Sequence, residues 1–375
     1  MRVLHFFKTY FPDTVGGIEQ VIAQLCDGST ARGIEARVLT LSRDPHPSRI
    51  AHGLHPVRRV REQLNVASTG FGLGALSAFR EEAAAADLVH YHFPWPFMDL
   101  LQLAGLSDKP YLVSYHSDVV KQQRLLQLYQ PVMHRFLGRA QHILVSSPNY
   151  LQSSAVLQKH QSRCRLVPYG LDDRSYPTAS ADALAKWRAR LPQRFFLFVG
   201  VLRYYKGLTF LLDALAGQPW PLVIAGAGPE ESALKAQVER LGLTTQVHFV
   251  GRIDELDKAS LFELCHAFVF PSHLRSESFG ISLLEAAMYG KALVSCEIGT
   301  GTSYINQDGE TGLLVEPASA LSLRKALATL MENDAATARM GQAARQRYEA
   351  LFTQEKMVER VVELYSNTLE SYRKI

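Results

Sequence analysis

One alternation, present in both halves of the 375-residue chain, constrains the fold more than any other feature: short apolar runs separated by stretches of helical spacing. In the first half the runs are Val3–Phe7, Ala36–Leu41, Leu88–His92, Tyr111–Tyr115, Ile143–Ser146 and Arg165–Pro168. In the second they are Phe195–Val199, Leu222–Ala225, Val247–Val250, Ala267–Phe270, Leu293–Ser295 and Leu313–Val315. Short runs of this kind read as buried strands. Helices such as Glu19–Thr30 and Gln122–Arg139 fit between them, so the expectation is an α/β chain of two doubly wound, parallel-sheet, Rossmann-like domains. Pro192 and its polar neighbours mark the boundary, which gives a first domain over 1–190 and a second over 191–354. A closing helix over 355–375 sets Met357, Val361, Leu364, Tyr365 and Leu369 on one face. Sheets of this type bind ligands at the C-terminal edges of their strands, and two in tandem place the site in a cleft between them.

Composition supports this reading and narrows the compartment. A hydrophobic content of 47% with 20% charged residues fits a soluble globular protein with ample core. No apolar run approaches a membrane span. The stretch Met1–Lys8 is too short and too soon interrupted for a signal peptide, and reads as the first strand. Cys26, Cys164, Cys265 and Cys296 lie far apart, which points to buried thiols in a reducing, cytoplasmic setting and not to a disulfide framework or a zinc site. Charge is uneven: 22 Lys+Arg against 15 Asp+Glu through residue 190 (+7), then 18 against 21 (−3). A basic first half suits phosphate-bearing acceptors or an anionic membrane surface, and arginine-rich solvated faces account for it equally well.

The chemistry is concentrated in Ser276-Glu277-Ser278-Phe279-Gly280-Ile281-Ser282-Leu283-Leu284-Glu285-Ala286-Ala287-Met288-Tyr289-Gly290. This segment lies between two strand-like runs, and Ile281, Leu284 and Met288 fall on one helical face. A helix starting near Gly280 offers the amides of Phe279, Gly280, Ile281 and Ser282 to an anion. At Gly280 the absent Cβ lets a phosphate approach the backbone. Two carboxylates beside a phosphate site make sense when they meet neutral hydroxyls, and a nucleotide sugar supplies a diphosphate, a ribose and a sugar ring.

Glu277 and Glu285 with seven residues between them, Phe279-Gly280 inside and Ala286-Ala287-Met288-Tyr289-Gly290-Lys291 after, resemble the signature of the large retaining glycosyltransferase family that includes bacterial mannosyltransferases and sucrose-phosphate synthases, the glycosyltransferase family 4 type. The resemblance runs nearly the full length and is strongest from Gly200 to Gly312. It implies the GT-B fold, two Rossmann-like domains facing across a cleft, with the closing helix crossing back to the first domain. It implies that Glu285 holds the ribose hydroxyls and Glu277 touches the donor sugar. Gly16 and Gly17, in the loop Tyr10–Glu19 that opens a helix, would meet the donor diphosphate; this is not a Gly-x-Gly-x-x-Gly or Walker loop. His116, after Val113-Ser114-Tyr115, would stand beside the donor sugar. The turns at Gly226 and at Gly251-Arg252-Ile253 would wall the base through backbone contacts.

Arg203 and Lys206, three apart after the seventh run, can face the same phosphates and offset the charge on a departing nucleoside diphosphate. Many relatives carry arginine directly after the glycine, where this chain has Val201, so Arg203 or Lys206 with backbone donors takes that role. His90 and His92 share a face of a strand. A metal pair is one reading, but spacing supplies no third ligand, and structural or acceptor-lining histidines are the preferred one. The stretch Lys121–Arg139 reads as a core-packed amphipathic helix kinked near Pro131, with an interfacial helix as the alternative.

No Asp-x-Asp follows a strand in a manganese-binding setting, so neither metal nor cofactor is expected. The resulting expectation is a retaining, metal-independent glycosyltransferase. It moves a hexose, mannose or a deoxymannose such as rhamnose, from a GDP-sugar to a hydroxyl of a lipid-linked or polysaccharide acceptor in O-antigen or lipopolysaccharide synthesis. The protein would be cytoplasmic, with peripheral contact at the inner membrane face, and nucleic acid is not among the expected partners. Two alternatives stay open: a nucleotide-sugar 2-epimerase of the same architecture, and a non-catalytic sugar-nucleotide-binding protein.

Overall fold

The computed structural model describes residues 1–66, 69–119 and 123–372, with the side chains of 123–126 excepted. Lys121 and Gln122, part of the amphipathic stretch, lie outside the described residues. The chain forms two compact units, Met1–Leu171 with Thr353–Ile375, and Asp172–Phe352.

In the first unit the strands are Arg2–Phe6 (β1), Glu35–Ser42 (β2), Arg49–His52 (β3), His55–Arg61 (β4), Leu64–Val66 (β5), Thr69–Phe71 (β6), Leu88–Phe93 (β7), Tyr111–Tyr115 (β8), His142–Val145 (β9) and Cys164–Leu166 (β10). Eight of them form one sheet in the order β10-β9-β8-β7-β1-β2-β4-β3, parallel except for the β3–β4 pair. The apolar runs become interior strands because both faces are covered; every residue of β7 and β8 is buried. β3 and β4, absent from the sequence reading, carry His, Pro and Arg where an interior strand would carry valine or leucine. They sit at the sheet edge, where Arg49 and Arg58 reach the buried carboxylate of Glu82 on helix Gly74–Ala85. The last helix, Gln354–Tyr372, belongs to this unit; Met357, Val361 and Tyr365 are buried, and it packs on helix Gly17–Thr30.

In the second unit the strands are Phe196–Val199 (β11), Leu222–Ala225 (β12), Val247–Gly251 (β13), Ala267–Phe270 (β14), Ala292–Cys296 (β15) and Gly312–Val315 (β16). They form one parallel sheet in the order β13-β12-β11-β14-β15-β16. Strand order reverses between β11 and β14, which makes their C-terminal ends the ligand position of such a sheet. Helix Ala181–Arg188, which the Pro192 boundary assigns to the first domain, packs in the second unit. Lys186 and Trp187 both donate to the Asp257 carboxylate, at 2.8–2.9 Å, and the Trp187 ring is buried.

All four cysteines are free and buried. Among the described residues no helix is long and apolar enough to cross a membrane.

Candidate active site

The loops after β11 and β14 meet within the second unit. The His273 amide donates to the Tyr205 carbonyl at 3.0 Å, and Gly207 lies so close to Pro271 that an added Cβ would stand 2.0 Å from its carbonyl oxygen. This contact brings Lys206 against Glu277. The ammonium donates to Oε2 at 2.5 Å, the Ser272 hydroxyl donates to the same oxygen at 3.2 Å, and the ammonium lies 4.5 Å from the centre of the Phe270 ring. Lys206, the last residue of a one-turn 3-10 helix over Tyr204–Lys206, is buried, while Tyr204 in the same turn is exposed. A buried cation and a buried carboxylate in contact offset each other's desolvation. Arg203, three residues earlier, is exposed; its carbonyl accepts from the Lys206 amide at 3.0 Å, and its side chain makes no hydrogen bond or ion pair among the described residues. Only Lys206 of the two cations is therefore built into the loop.

The helix expected near Gly280 runs over Ile281–Met288 with Gly280 at the N-cap, so the first-turn amides are those of Ile281, Ser282 and Leu283. Phe279 lies outside the turn and is buried against Phe352 at 6.1 Å, edge to face. The fold adds a reason of its own for glycine at 280. Its φ is +98°, a region costly for a residue with Cβ, and an added Cβ would press on Phe270 at 3.0 Å and Leu283 at 3.3 Å. The glycine sets the entry angle of the helix; phosphate access is not needed to explain it.

Glu285 lies one and a half turns into the helix and is 3% exposed. Its Oε1 accepts from Lys258 Nζ at 2.8 Å and from the Tyr176 hydroxyl at 3.0 Å. Neither partner was visible in the sequence. Lys258 stands among Glu255 and Asp257 on helix Glu255–Leu264 and looks like part of a solvated face, and Tyr176 lies in a connecting segment. Gly226 follows β12 with φ +131°, and an added Cβ would strike the Gly200 carbonyl oxygen at 2.0 Å, so close packing of two loops requires glycine there. Gly251, at the end of β13, faces open space; Arg252 is exposed and Ile253 half-buried.

The first unit has its own strand-order reversal, between β1 and β7, and its polar groups there are of another kind. His5 on β1 and His92 on β7 approach at 3.1 Å between Nδ1 and Nε2. His92 Nδ1 lies 2.9 Å from His116 Nε2, and His116 Nδ1 lies 2.5 Å from the Tyr169 hydroxyl. The three rings are nearly parallel, tilted by 20° and 12°, with centroids 5.4 and 5.2 Å apart. Those separations exceed the nitrogen–nitrogen distances by about two ring radii, so the imidazoles meet edge to edge as a hydrogen-bonded ribbon. His90 is held separately, by Tyr365 at 2.6 Å and Ser114 at 2.8 Å.

All four histidines are buried, and desolvation keeps them neutral: it pushes His90 and His116 down to about 3 and lowers His5 and His92 well below the ordinary imidazole range. The third histidine that spacing did not supply is His5, whose ring nitrogen lies within 4.8 Å of those of His90 and His92. The ribbon aims the nitrogens of His5 and His92 at each other and not at a common point, which fits hydrogen bonding better than metal ligation. Both ring nitrogens of His116 are likewise used inside the protein, which differs from a side chain that reaches a sugar through nitrogen. Gly16 caps helix Gly17–Thr30, where the Glu19 carboxylate folds back to within 2.6 Å of where a Gly16 Cβ would stand. The anion at this helix start is thus the protein's own, and Gly17 is exposed beside it.

Comparison with known proteins agrees with the motif. Residues 15–175 match the family described as Glycosyltransferase Family 4, and residues 181–347 match Glycosyl transferases group 1. The chain is 55% identical over 353 residues to the D-rhamnosyltransferase WbpZ of Pseudomonas aeruginosa, covering 94% of this chain and 92% of that one. It is 46% identical over 371 residues to the O-antigen chain mannosyltransferase C of Escherichia coli, covering 99% and 100%. The solved structure of a sucrose-phosphate synthase from Thermosynechococcus elongatus superposes with a TM-score of 0.82 over 99% of both chains at 24% identity, which supports the GT-B fold. The chain belongs to glycosyltransferase family 4 and is a glycosyltransferase built from two parallel-sheet, Rossmann-like domains.

Proposed function

We propose that the protein transfers D-rhamnose or mannose from the GDP-sugar to a hydroxyl of a lipid-linked O-antigen glycan, with retained configuration and without a metal ion. The Lys206–Glu277 contact at the start of helix Ile281–Met288, where strand order reverses, carries this reading. A diphosphate at that point meets one ammonium and the first-turn amides, which together stabilise the charge that grows as the nucleotide departs. Lys206 then exchanges Glu277 for phosphate oxygen, and Glu277 turns to the sugar hydroxyls. Glu285 accepts from the ribose hydroxyls. The leaving phosphate oxygen takes the acceptor proton on the face where the new bond forms. Configuration is thus retained without a separate base.

The choice of sugar rests on the two relatives named for rhamnosyl and mannosyl transfer. In this reading the first unit, with its neutral histidine ribbon, binds the acceptor. Contact with the inner membrane face is supported by helix Gln123–Arg139, where Leu128 is 80% exposed and Arg135 and Arg139 are also exposed.

The test is to incubate the protein with GDP-D-rhamnose or GDP-mannose and a lipid-linked O-antigen primer in the presence of EDTA, then read the anomeric configuration of the product by NMR. A retained linkage formed from a GDP-sugar is expected. An inverted product, or consumption of UDP-sugars alone, would overturn the proposal. Epimerised nucleotide sugar formed without acceptor would favour the 2-epimerase reading.

A further inference from the structure

Glu285 is held in a way that the proposed ribose contact does not by itself require. Its side chain is 4% exposed, and the side chain of Lys258, whose ammonium meets it, is 12% exposed. Lys258 Nζ lies 2.8 Å from Glu285 Oε1 and 2.8 Å from Glu255 Oε2, and it stands 5.3 Å from the centre of the Tyr176 ring. The Tyr176 hydroxyl donates to the same Oε1 at 3.0 Å. Two donors converging on one oxygen fix both the plane and the rotamer of the carboxylate.

A merely adhesive contact between helices Glu255–Leu264 and Ile281–Met288 would cost less if built from apolar side chains, because a buried ion pair gives up the hydration of both charges. A carboxylate that must accept hydroxyl donors has a different requirement: it must stay ionised while water is excluded, and it does so with a fixed cation in contact. Burial pulls the Lys258 pKa down, but Glu285 and Glu255 outweigh it and the ammonium ends above its ordinary value, so it remains a cation throughout the usable pH range. Burial and the Glu285 charge likewise push the Tyr176 phenol up, so that it stays a donor.

We propose that Lys258 is a positioning residue of the nucleotide site, one that holds the Glu285 carboxylate ionised and oriented for the ribose hydroxyls of a nucleoside diphosphate, with Tyr176 as the second fixing donor. This rests on the reading that Glu285 meets ribose. Among the described residues, the charged and titratable groups facing Glu285 include Lys258 and Tyr176, with Glu255 behind Lys258 and Tyr289 about one turn along the same helix.

The experiment measures, by calorimetry at pH 8.5, 7 and 6, binding of whichever of GDP, UDP and ADP the unmodified protein binds most tightly. The terminal phosphate of the nucleotide itself gains a proton near pH 6, so each variant is read against the unmodified protein at the same pH. Without its cation the buried carboxylate takes up a proton as pH falls, so Lys258→Met should lose little at pH 8.5 and about 10- to 100-fold at pH 6. Lys258→Arg should recover most of the loss and follow the unmodified protein at every pH. A loss of equal size at every pH, or no loss, would overturn the proposal by leaving Lys258 a packing role. Tyr176→Phe keeps the charge and removes one donor; it should cost about threefold at every pH, and if Lys258→Met fails to fold, an unchanged affinity here rejects the geometry. Glu285→Ala separates the two levels. If it too leaves nucleotide binding intact, the ribose reading falls; if it abolishes binding while Lys258→Met behaves as the unmodified protein, only the role of Lys258 falls.

Discussion

The two units share a topology and differ in chemistry at the same topological place. Where β11 and β14 part, the second unit sets ions in contact: Lys206 with Glu277, and Lys258 with Glu285. Where β1 and β7 part, the first unit sets neutral rings in contact: His5, His92 and His116 in line, ending on Tyr169. Ions held in pairs are suited to a step in which a diphosphate leaves with new charge, because the cation is already buried beside the place where that charge grows and needs only to exchange its carboxylate partner for phosphate. A neutral ribbon fixes the position of loops and strands without adding a field. Parallel α/β architecture thus sets where a site forms, and the side chains at each reversal set what it does.

Four measurements sharpen or break this contrast. The largest effect should come from Lys206→Ala, which removes the fixed cation and should lower turnover about 10²- to 10³-fold while changing KM by much less. A fall in affinity with turnover preserved would place the charge on the ground state. Next, Glu285→Ala should weaken nucleotide binding about 10- to 100-fold, the worth of hydrogen bonds to a charged acceptor, as read by calorimetry. The third concerns the neutral ribbon. His90 and His116 have folded-state pKa values near 3 against about 6.5 in an unfolded chain, so the unfolded state takes up protons first as pH falls. Stability is therefore lost progressively from about pH 6.5 downward, by about 2 kcal/mol for each of the two at pH 5, and urea unfolding at pH 7.5 and 5 should show it in the first unit. Equal stability at both pH values would mean that these rings carry charge. The smallest effect expected is none: EDTA should leave transfer unchanged, and a loss restored by a divalent ion would put a metal where the account puts Lys206.

Much of the fold could be read from the sequence because interior parallel strands are continuous apolar runs; all six strands of the second sheet fall within a residue or so of their expected places. β3 and β4 were hidden for the converse reason. β3 is the edge strand and β4, His55–Arg61, lies just inside it; β4 alternates apolar with polar residues, and its Arg58 finds its partners in Glu81 and Glu82. In the candidate site, the spacing of Glu277 and Glu285 and the distance of Lys206 from a strand end single these residues out in the sequence. Lys258 does not stand out, since a lysine next to an aspartate and three residues from a glutamate looks like solvated surface until helix packing brings it to Glu285. His5 was missed as the third member of the histidine cluster because strand adjacency, β1 beside β7, is a property of the sheet and leaves no mark on local spacing. At Gly280 the sequence shows only the missing Cβ; the positive φ and the Phe270 ring beneath it, which give the glycine a second reason, come from the fold.

The central claim, that a sugar nucleotide is held by the paired charges of the second unit, is tested most directly by a crystal structure of the protein with GDP. The account predicts diphosphate oxygens within hydrogen-bond reach of Lys206 Nζ and of the Ile281–Leu283 amides, Lys206 parted from Glu277, and the ribose hydroxyls on Glu285. A nucleotide bound away from the ends of β11 and β14, or one that leaves the Lys206–Glu277 contact intact, would contradict it.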